Sequence, residues 1–364
     1  MRLALVLPGG VDRSGTDRVI PARLWLLERL ARRHDVHVFA LGQDDAPGEW
    51  DLLGARVHDV GSAPRKLRRL LACFGAQHAV ARFDVVHAFF GWAGAYAALL
   101  GWRHRLPVVY SPSGGEHVAM RDIGYGMRCT LVGRAGAAVA AAGASRVTVA
   151  TPHMQRLAAA RGVRAERVPL GVAVDRWPAA PLRPRDRARP ARLLHVGDLR
   201  PVKDQAMLLA AARRLREAGA RFTLDIVGRD TTGGALRRSA DAAWLGDIVR
   251  WHGPLGRDAL RTLVDEADLL LVSSRHEAGP LVVLEAAVAG VPTVGTAVGH
   301  VAEWAPDAAV AVPVGDADAL ARETAALLDD EPRRLALAVA AQRLALGMDA
   351  DATAAAFERI YAAL

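Results

Sequence analysis

Cysteine is nearly absent: Cys73 and Cys129 are the only two in 364 residues, and their spacing matches no metal-ligand pattern. A disulfide framework is excluded, and two buried free thiols in a reducing compartment are expected. No uncharged apolar run approaches the roughly 18 residues of a membrane-spanning helix. The richest stretch, residues 135–144, is short and made largely of Ala and Gly. The opening run Met1-Arg2-Leu3-Ala4-Leu5-Val6-Leu7-Pro8-Gly9-Gly10 reads as a strand entering a glycine turn. It lacks the charged, apolar and small-residue regions of a secretory signal, so a cytoplasmic location is expected. Two chemical patterns are also missing. No Gly-x-Gly-x-x-Gly follows a strand, which argues against a dinucleotide-dependent oxidoreductase. No Asp-x-Asp lies at a strand end, since Asp329-Asp330-Glu331 falls between helical segments as a cap. Neither a metal nor a cofactor is expected in the reaction.

What remains is a globular chain long enough for two hydrophobic cores. Short β-branched runs alternate with longer helical patterns, the mark of parallel sheets with crossover helices. In the first half, strands are predicted at 3–7, 35–41, 84–89, 107–111 and 146–150, with a helix at 18–33. In the second half they fall at 192–196, 222–227, 248–252, 268–272, 293–295 and 309–312. Four prolines among charges at 178–190 interrupt the rhythm. The predicted domains are therefore 1–180 and 191–364, joined by a linker at 181–190, with the last helix packing back on the first domain. Charge divides in the same way: residues 1–180 hold 24 Lys and Arg against 14 Asp and Glu, while 181–364 hold 23 against 25. The densest basic run, Arg65, Lys66, Arg68 and Arg69, opens an amphipathic helix that suits peripheral contact with an anionic membrane face. The structural alternative is a surface helix whose Leu67, Leu70, Leu71 and Phe74 pack on the core.

In open α/β sheets the ligand sits at the carboxyl ends of the strands, so the loops there carry the candidates. The first, with Gly9 and Gly10, offers backbone N–H groups to an anion at a helix mouth, or is a plain tight turn. The second, Gly197 to Lys203, sets Arg200 and Lys203 beside a helix start, as a diphosphate clamp would. The third is the densest. Glu277 stands on a loop, Gly279, Pro280, Leu281 and Val282 turn into an apolar helix, and Glu285 lies within that helix. A carboxylate there is costly to bury unless hydrogen-bonded, and a ribose diol is one partner that would satisfy it. A cap plus a salt-bridged Glu285 is the structural alternative.

At this point the sequence resembles glycosyltransferase family 4, the retaining GT-B enzymes. Glu277 and Glu285, with seven residues between them, match that family's E-x7-E signature, and Ala289-Gly290-Val291-Pro292-Thr293-Val294 resembles the strand entry that follows it. Gly197 to Lys203, Gly171 to Trp177 and Pro313-Val314-Gly315-Asp316 resemble further family segments. The first half is similar more loosely, through Pro8-Gly9-Gly10, Asp84-Val85-Val86-His87 and Ser113-Gly114-Gly115-Glu116-His117.

The resemblance implies two Rossmann-like domains with parallel sheets facing a central cleft. It also implies transfer of a hexosyl group from a nucleoside diphosphate sugar, such as a UDP or GDP sugar, to a hydroxyl acceptor, with retention. Glu285 would bind ribose, Glu277 the donor sugar, and Lys203 the diphosphate, assisted by Arg200, Gly9, Gly10, Gly197 and the N–H groups from Gly279 to Val282. The family's arginine position is Asp198 here. His252, at the strand end Trp251-His252-Gly253-Pro254, would lie near the base. Either His117 or Glu116 would stand near the reacting sugar, with the turn at 122–126 on the acceptor side. A GT-B epimerase or hydrolase and a non-catalytic GT-B binding subunit are the rival readings.

Overall fold

Apolar runs become strands buried on both faces, as parallel sheets under helices require. In the computed structural model, which describes residues 1–62 and 64–364, they sort into two units. The first comprises Met1–Gly171 with Ala350–Leu364, and the second Val172–Asp349.

The first unit holds β1 (Arg2–Leu7), β2 (Asp35–Ala40), β3 (Gly48–Leu52), β4 (Ala55–Asp59), β5 (Val85–Phe89), β6 (Val108–Ser111), β7 (Arg146–Val149) and β8 (Glu166–Arg167). Their order is β3-β4-β2-β1-β5-β6-β7-β8, parallel except for the β3–β4 pair. The five strands predicted here all form. The β3–β4 hairpin was not expected, because its turn puts Leu53 at φ 51° beside Gly54 at φ 86°. A bulky residue with positive φ gives no turn signal in a sequence. The first helix is shorter than predicted, Pro21–Ala31. Arg18 has a positive φ, and Pro21 begins the helix where its missing N–H costs nothing.

The last helix, Ala350–Ala362, buries Ala354, Phe357, Ile360 and Tyr361 in the core formed with Leu3, Leu5 and Val85. The Tyr361 hydroxyl lies 2.6 Å from His87 Nδ1, His87 Nε2 lies 2.8 Å from Ser111 Oγ, and Ser111 Oγ lies 2.6 Å from Thr148 Oγ1. Burial holds His87 well below its ordinary pKa and therefore neutral. Tyr361→Phe leaves a buried ring nitrogen without its partner and is expected to cost about 1–3 kcal/mol in urea unfolding. An unchanged midpoint would remove this tie from the account.

The second unit is all parallel: β9 (Ala191–Val196), β10 (Phe222–Val227), β11 (Val249–Gly253), β12 (Leu269–Val272), β13 (Thr293–Thr296) and β14 (Val310–Val312). The order β11-β10-β9-β12-β13-β14 reverses between β9 and β12. That reversal opens a crevice for ligand at their carboxyl ends.

The unit boundary falls at Gly171/Val172, ahead of the predicted linker. Trp177 is buried and donates from Nε1 to the Glu285 carbonyl at 2.8 Å. Asp268, wholly buried, takes Arg183 and Arg189 at 3.4 Å each and the Arg192 N–H at 2.8 Å. The proline-rich stretch is thus held to the second unit by arginines that neutralise a buried carboxylate, a role its composition does not reveal.

Cys73 and Cys129 are free thiols, half-buried rather than buried. The basic helix is Lys66–Val80. Its Leu70 and Phe74 enter the core, whereas Leu67 stays outside at 38% exposure beside exposed Arg65 and Arg68. No helix among the described residues is long and apolar enough to cross a membrane.

Candidate active site

The loops leaving β9 and β12 are stitched together at the switch point of the second unit. Ser273 Oγ donates to the Lys203 carbonyl at 2.8 Å, and the Arg275 N–H donates to the Val202 carbonyl at 2.8 Å. Asp204 takes a left-handed conformation and caps the Met207 N–H, which starts the helix Gln205–Glu217 immediately after Lys203. Gly197 leaves room for the Lys203 stem: a Cβ there would sit 3.4 Å from its Cδ and Cε. Lys203 Nζ then donates to Glu277 Oε1 at 2.6 Å, and Ser274 Oγ donates to the same oxygen at 2.6 Å. Glycine is required at 299, where φ is +52° and a Cβ would come within 2.6 Å of Pro280 Cδ and 3.0 Å of Glu277 Cβ.

Glu285 sits in the second turn of the helix Leu281–Val288, 7% exposed. Desolvation alone pushes its carboxyl up to about 7. This is the cost anticipated for a carboxylate buried in an apolar helix. The helix start at Pro280 has no side-chain cap. The first-turn N–H groups at Leu281 and Val282 therefore remain open to an acceptor or an anion.

Asp198 is engaged by the Arg229 backbone and the Arg200 side chain. Its Oδ1 accepts the Arg229 N–H at 3.1 Å and its Oδ2 pairs with Arg200 Nη2 at 3.3 Å. Arg200, expected to assist Lys203 at the diphosphate, is thus held by Asp198, the residue at the family's arginine position. Removing that charge frees Arg200, so Asp198→Asn is expected to lower the donor KM about threefold with kcat little changed. A raised KM in steady-state kinetics would contradict this. His252, at the end of β11, lies 2.6 Å from Asp225 Oδ1 through its Nε2.

In the first unit, Gly10 has φ 82° and its missing side chain admits Ile20, whose Cγ1 would lie 2.6 Å from a Cβ. The Gly10 and Val11 N–H groups donate to Gln43 Oε1 at 2.7 and 3.0 Å. An anion at the Gly9-Gly10 loop would have to displace Gln43 from the Gly10 N–H, a partner the sequence reading did not foresee. Glu116 is buried and accepts the Gly114 N–H at 2.7 Å and the Ser113 N–H at 3.4 Å. Burial raises its carboxyl and these N–H groups oppose the rise, so Glu116 organises its own loop. His117 is buried beside it. Arg23 was also missed. It is buried, its guanidinium lies 3.9 Å from the Phe89 ring centroid, and Nη2 donates to Ser113 Oγ at 2.6 Å. Burial pulls its pKa down to about 9, against the attraction of Glu116. A cavity of about 960 Å3 beside Arg146, Arg161 and Arg164 opens at the opposite, amino-terminal end of β7 and contains none of the expected residues.

Two family models match this chain: Glycosyl transferase 4-like domain over residues 20–171 and Glycosyl transferases group 1 over residues 183–344. A D-inositol 3-phosphate glycosyltransferase of Kineococcus radiotolerans is 29% identical, covering 98% of this chain and 92% of the relative. D-inositol 3-phosphate glycosyltransferase 1 of Catenulispora acidiphila is 30% identical, covering 80% of this chain and 74% of that relative. The chain belongs to the family 4 glycosyltransferases. The glycosyltransferase also resembles a solved sucrose-phosphate synthase from Thermosynechococcus elongatus, with a TM-score of 0.82 at 19% identity over 99% of this chain and 98% of the other. That likeness establishes the GT-B fold.

Of the predicted residues, Gly197, Lys203, Glu277, Gly279 and Pro280 belong to the two loops of one switch point, and Leu281, Val282 and Glu285 to the helix that follows the second loop. Arg200 is diverted to Asp198, and His252 lies at the end of an outer strand. Gly9, Gly10, Glu116 and His117 belong to the first unit.

Proposed function

We propose that the glycosyltransferase moves a hexosyl group from a nucleoside diphosphate sugar to a hydroxyl acceptor, with retention at the anomeric carbon. The reading rests on one observation above all. A buried carboxylate shifted by desolvation alone, Glu285, lies in the helix whose uncapped start follows the loop that carries Glu277, itself paired with Lys203. Ribose hydroxyls would donate to Glu285, the diphosphate would meet Lys203 and the N–H groups of Leu281 and Val282, and sugar hydroxyls would meet Glu277. As the sugar–phosphate bond breaks, negative charge grows on the leaving diphosphate, where fixed positive groups lower the barrier most. In this proposal the acceptor proton passes to that phosphate and no metal takes part.

Similarity to the D-inositol 3-phosphate glycosyltransferases makes an inositol phosphate the first acceptor to test, and buried Arg23 is suited to an anionic one. Peripheral membrane contact through Arg65, Lys66, Arg68 and Arg69 belongs to the same proposal, supported by the exposure of Arg65, Leu67 and Arg68. Incubating a panel of nucleotide sugars with inositol phosphate and other polyols, with products read by NMR, tests the reaction. Transfer with the donor's anomeric configuration kept is expected. Donor hydrolysis or epimerisation without transfer would overturn it. Absence of thermal stabilisation by UDP, GDP and ADP would favour the binding-subunit reading that the Asp198–Arg200 pair invites.

A further inference from the structure

The β3–β4 hairpin pairs Glu49 directly with His58. Opposed residues of an antiparallel pair project from the same face. Cys73, from the helix Lys66–Val80, reaches the same point: one donor atom from each of Glu49, His58 and Cys73 lies within 4.8 Å of the others. No other group of three or more His, Cys, Asp or Glu side chains among the described residues comes together in this way. The three line an open pocket of about 360 Å3, remote in sequence from the loops assigned to the donor.

We propose that Glu49, His58 and Cys73 form a zinc-binding site, with water from the pocket as the fourth ligand. The donor set is one imidazole, one thiolate and one carboxylate, a borderline-soft combination that suits zinc and not magnesium or calcium. Zinc distances of about 2.0 Å to N or O and about 2.3 Å to S place tetrahedral ligand atoms roughly 3.3–3.6 Å apart. His58 Nδ1 already stands 2.8 Å from Glu49 Oε1. Small side-chain rotations, with the sheet unmoved, close the remaining gap.

A second histidine and two charged groups stand behind His58. His58 Nε2 lies 2.9 Å from His37 Nδ1, the two rings meet edge to edge with 7° between their planes, and His37 Nε2 has both Arg2 Nη2 at 2.9 Å and Asp35 Oδ1 at 3.3 Å. The arrangement that satisfies every contact of this chain is the metal-free one. Without metal, Arg2 donates to His37, His37 to His58, and His58 to Glu49. With metal, Nδ1 of His58 must be bare, so His58 donates from Nε2 to His37 Nδ1 and His37 carries its proton on Nε2, towards Asp35; that proton faces the Arg2 Nη2 donor 2.9 Å away, so the Arg2–His37 contact has to open when zinc binds. Arg2 then retains its bonds to Asp35 Oδ2 at 2.8 Å and to the Gln77 carbonyl at 2.7 Å. A carboxylate behind a ligating imidazole fixes its tautomer and raises its basicity.

Burial, reinforced by Glu49, pushes the Cys73 thiol up to about 11. The thiol is therefore protonated at neutral pH, and zinc binding exchanges the S–H bond for a zinc–sulfur bond and releases one proton to solvent. The two anionic ligands balance the charge of the ion. The bound ion would fasten the edge hairpin to the helix over it.

Titrating the reduced, tag-free full chain first with cobalt(II) and then with zinc(II) tests the site. One equivalent of cobalt is expected to give a thiolate-to-metal absorption band, which zinc abolishes. Cys73→Ser, a one-atom change, is expected to lose the band and about tenfold or more in zinc affinity, and Glu49→Gln, at a solvent-exposed position, to weaken zinc by about tenfold. Cys129→Ser should change neither. A wild-type chain without the band, or a band that survives in Cys73→Ser, would overturn the proposal.

Discussion

Glu285→Gln is expected to stabilise the nucleotide-free chain at pH 8 while weakening nucleotide binding roughly tenfold to a hundredfold. Burial raises this carboxyl from 4.5 to about 7 in the folded chain. The native state consequently holds the proton more tightly than the unfolded state. As pH rises from 4.5 towards 7, the wild type loses stability, and above 7 the full cost of the buried charge is present. At about 1.4 kcal/mol per pH unit that cost is about 3 kcal/mol. Glutamine carries no charge and escapes it. Urea unfolding at pH 5 and pH 8 should therefore show a variant that gains little at the lower pH and about 3 kcal/mol at the higher. An equal gain at both would mean that no charge is buried there. The binding loss follows from the same atoms, because an ionised carboxylate can accept from both ribose hydroxyls and an amide from only one side.

Lys203→Ala is expected to lower kcat/KM about a hundredfold to a thousandfold. Lys203 Nζ and Ser274 Oγ converge on one oxygen of Glu277, so the mutation removes the cation proposed for the diphosphate and leaves Glu277 held by a hydroxyl alone. Lys203→Arg should recover little, since a planar fork cannot take the place of a point charge folded over Gly197. Steady-state kinetics on the three proteins checks both statements. A loss below about tenfold in Lys203→Ala would take the lysine out of the transition state.

The sequence made the core strands legible because each is a short apolar run bounded by turn residues. All eleven predicted strands form, and the E-x7-E pattern led to one switch point. Local geometry hid the rest. The hairpin that carries Glu49 and His58 turns through Leu53 with positive φ, which no propensity anticipates. The linker's arginines answer Asp268, some eighty residues distant in sequence. Gln43 and Arg23 took roles beside the first-unit loops that only tertiary contact could assign. Glu116 and His117 were equivalent on paper. In the structure Glu116 accepts the N–H groups of Gly114 and Ser113, an engagement that depends on backbone conformation.

The most direct test of the donor site is the structure of the chain crystallised with UDP, GDP or ADP, whichever raises its melting temperature most. Ribose hydroxyls are expected within hydrogen-bonding distance of the Glu285 carboxylate, and the diphosphate against Lys203 and the N–H groups of Leu281 and Val282. A nucleotide bound elsewhere, with Glu285 still buried and Lys203 still paired only to Glu277, would contradict it.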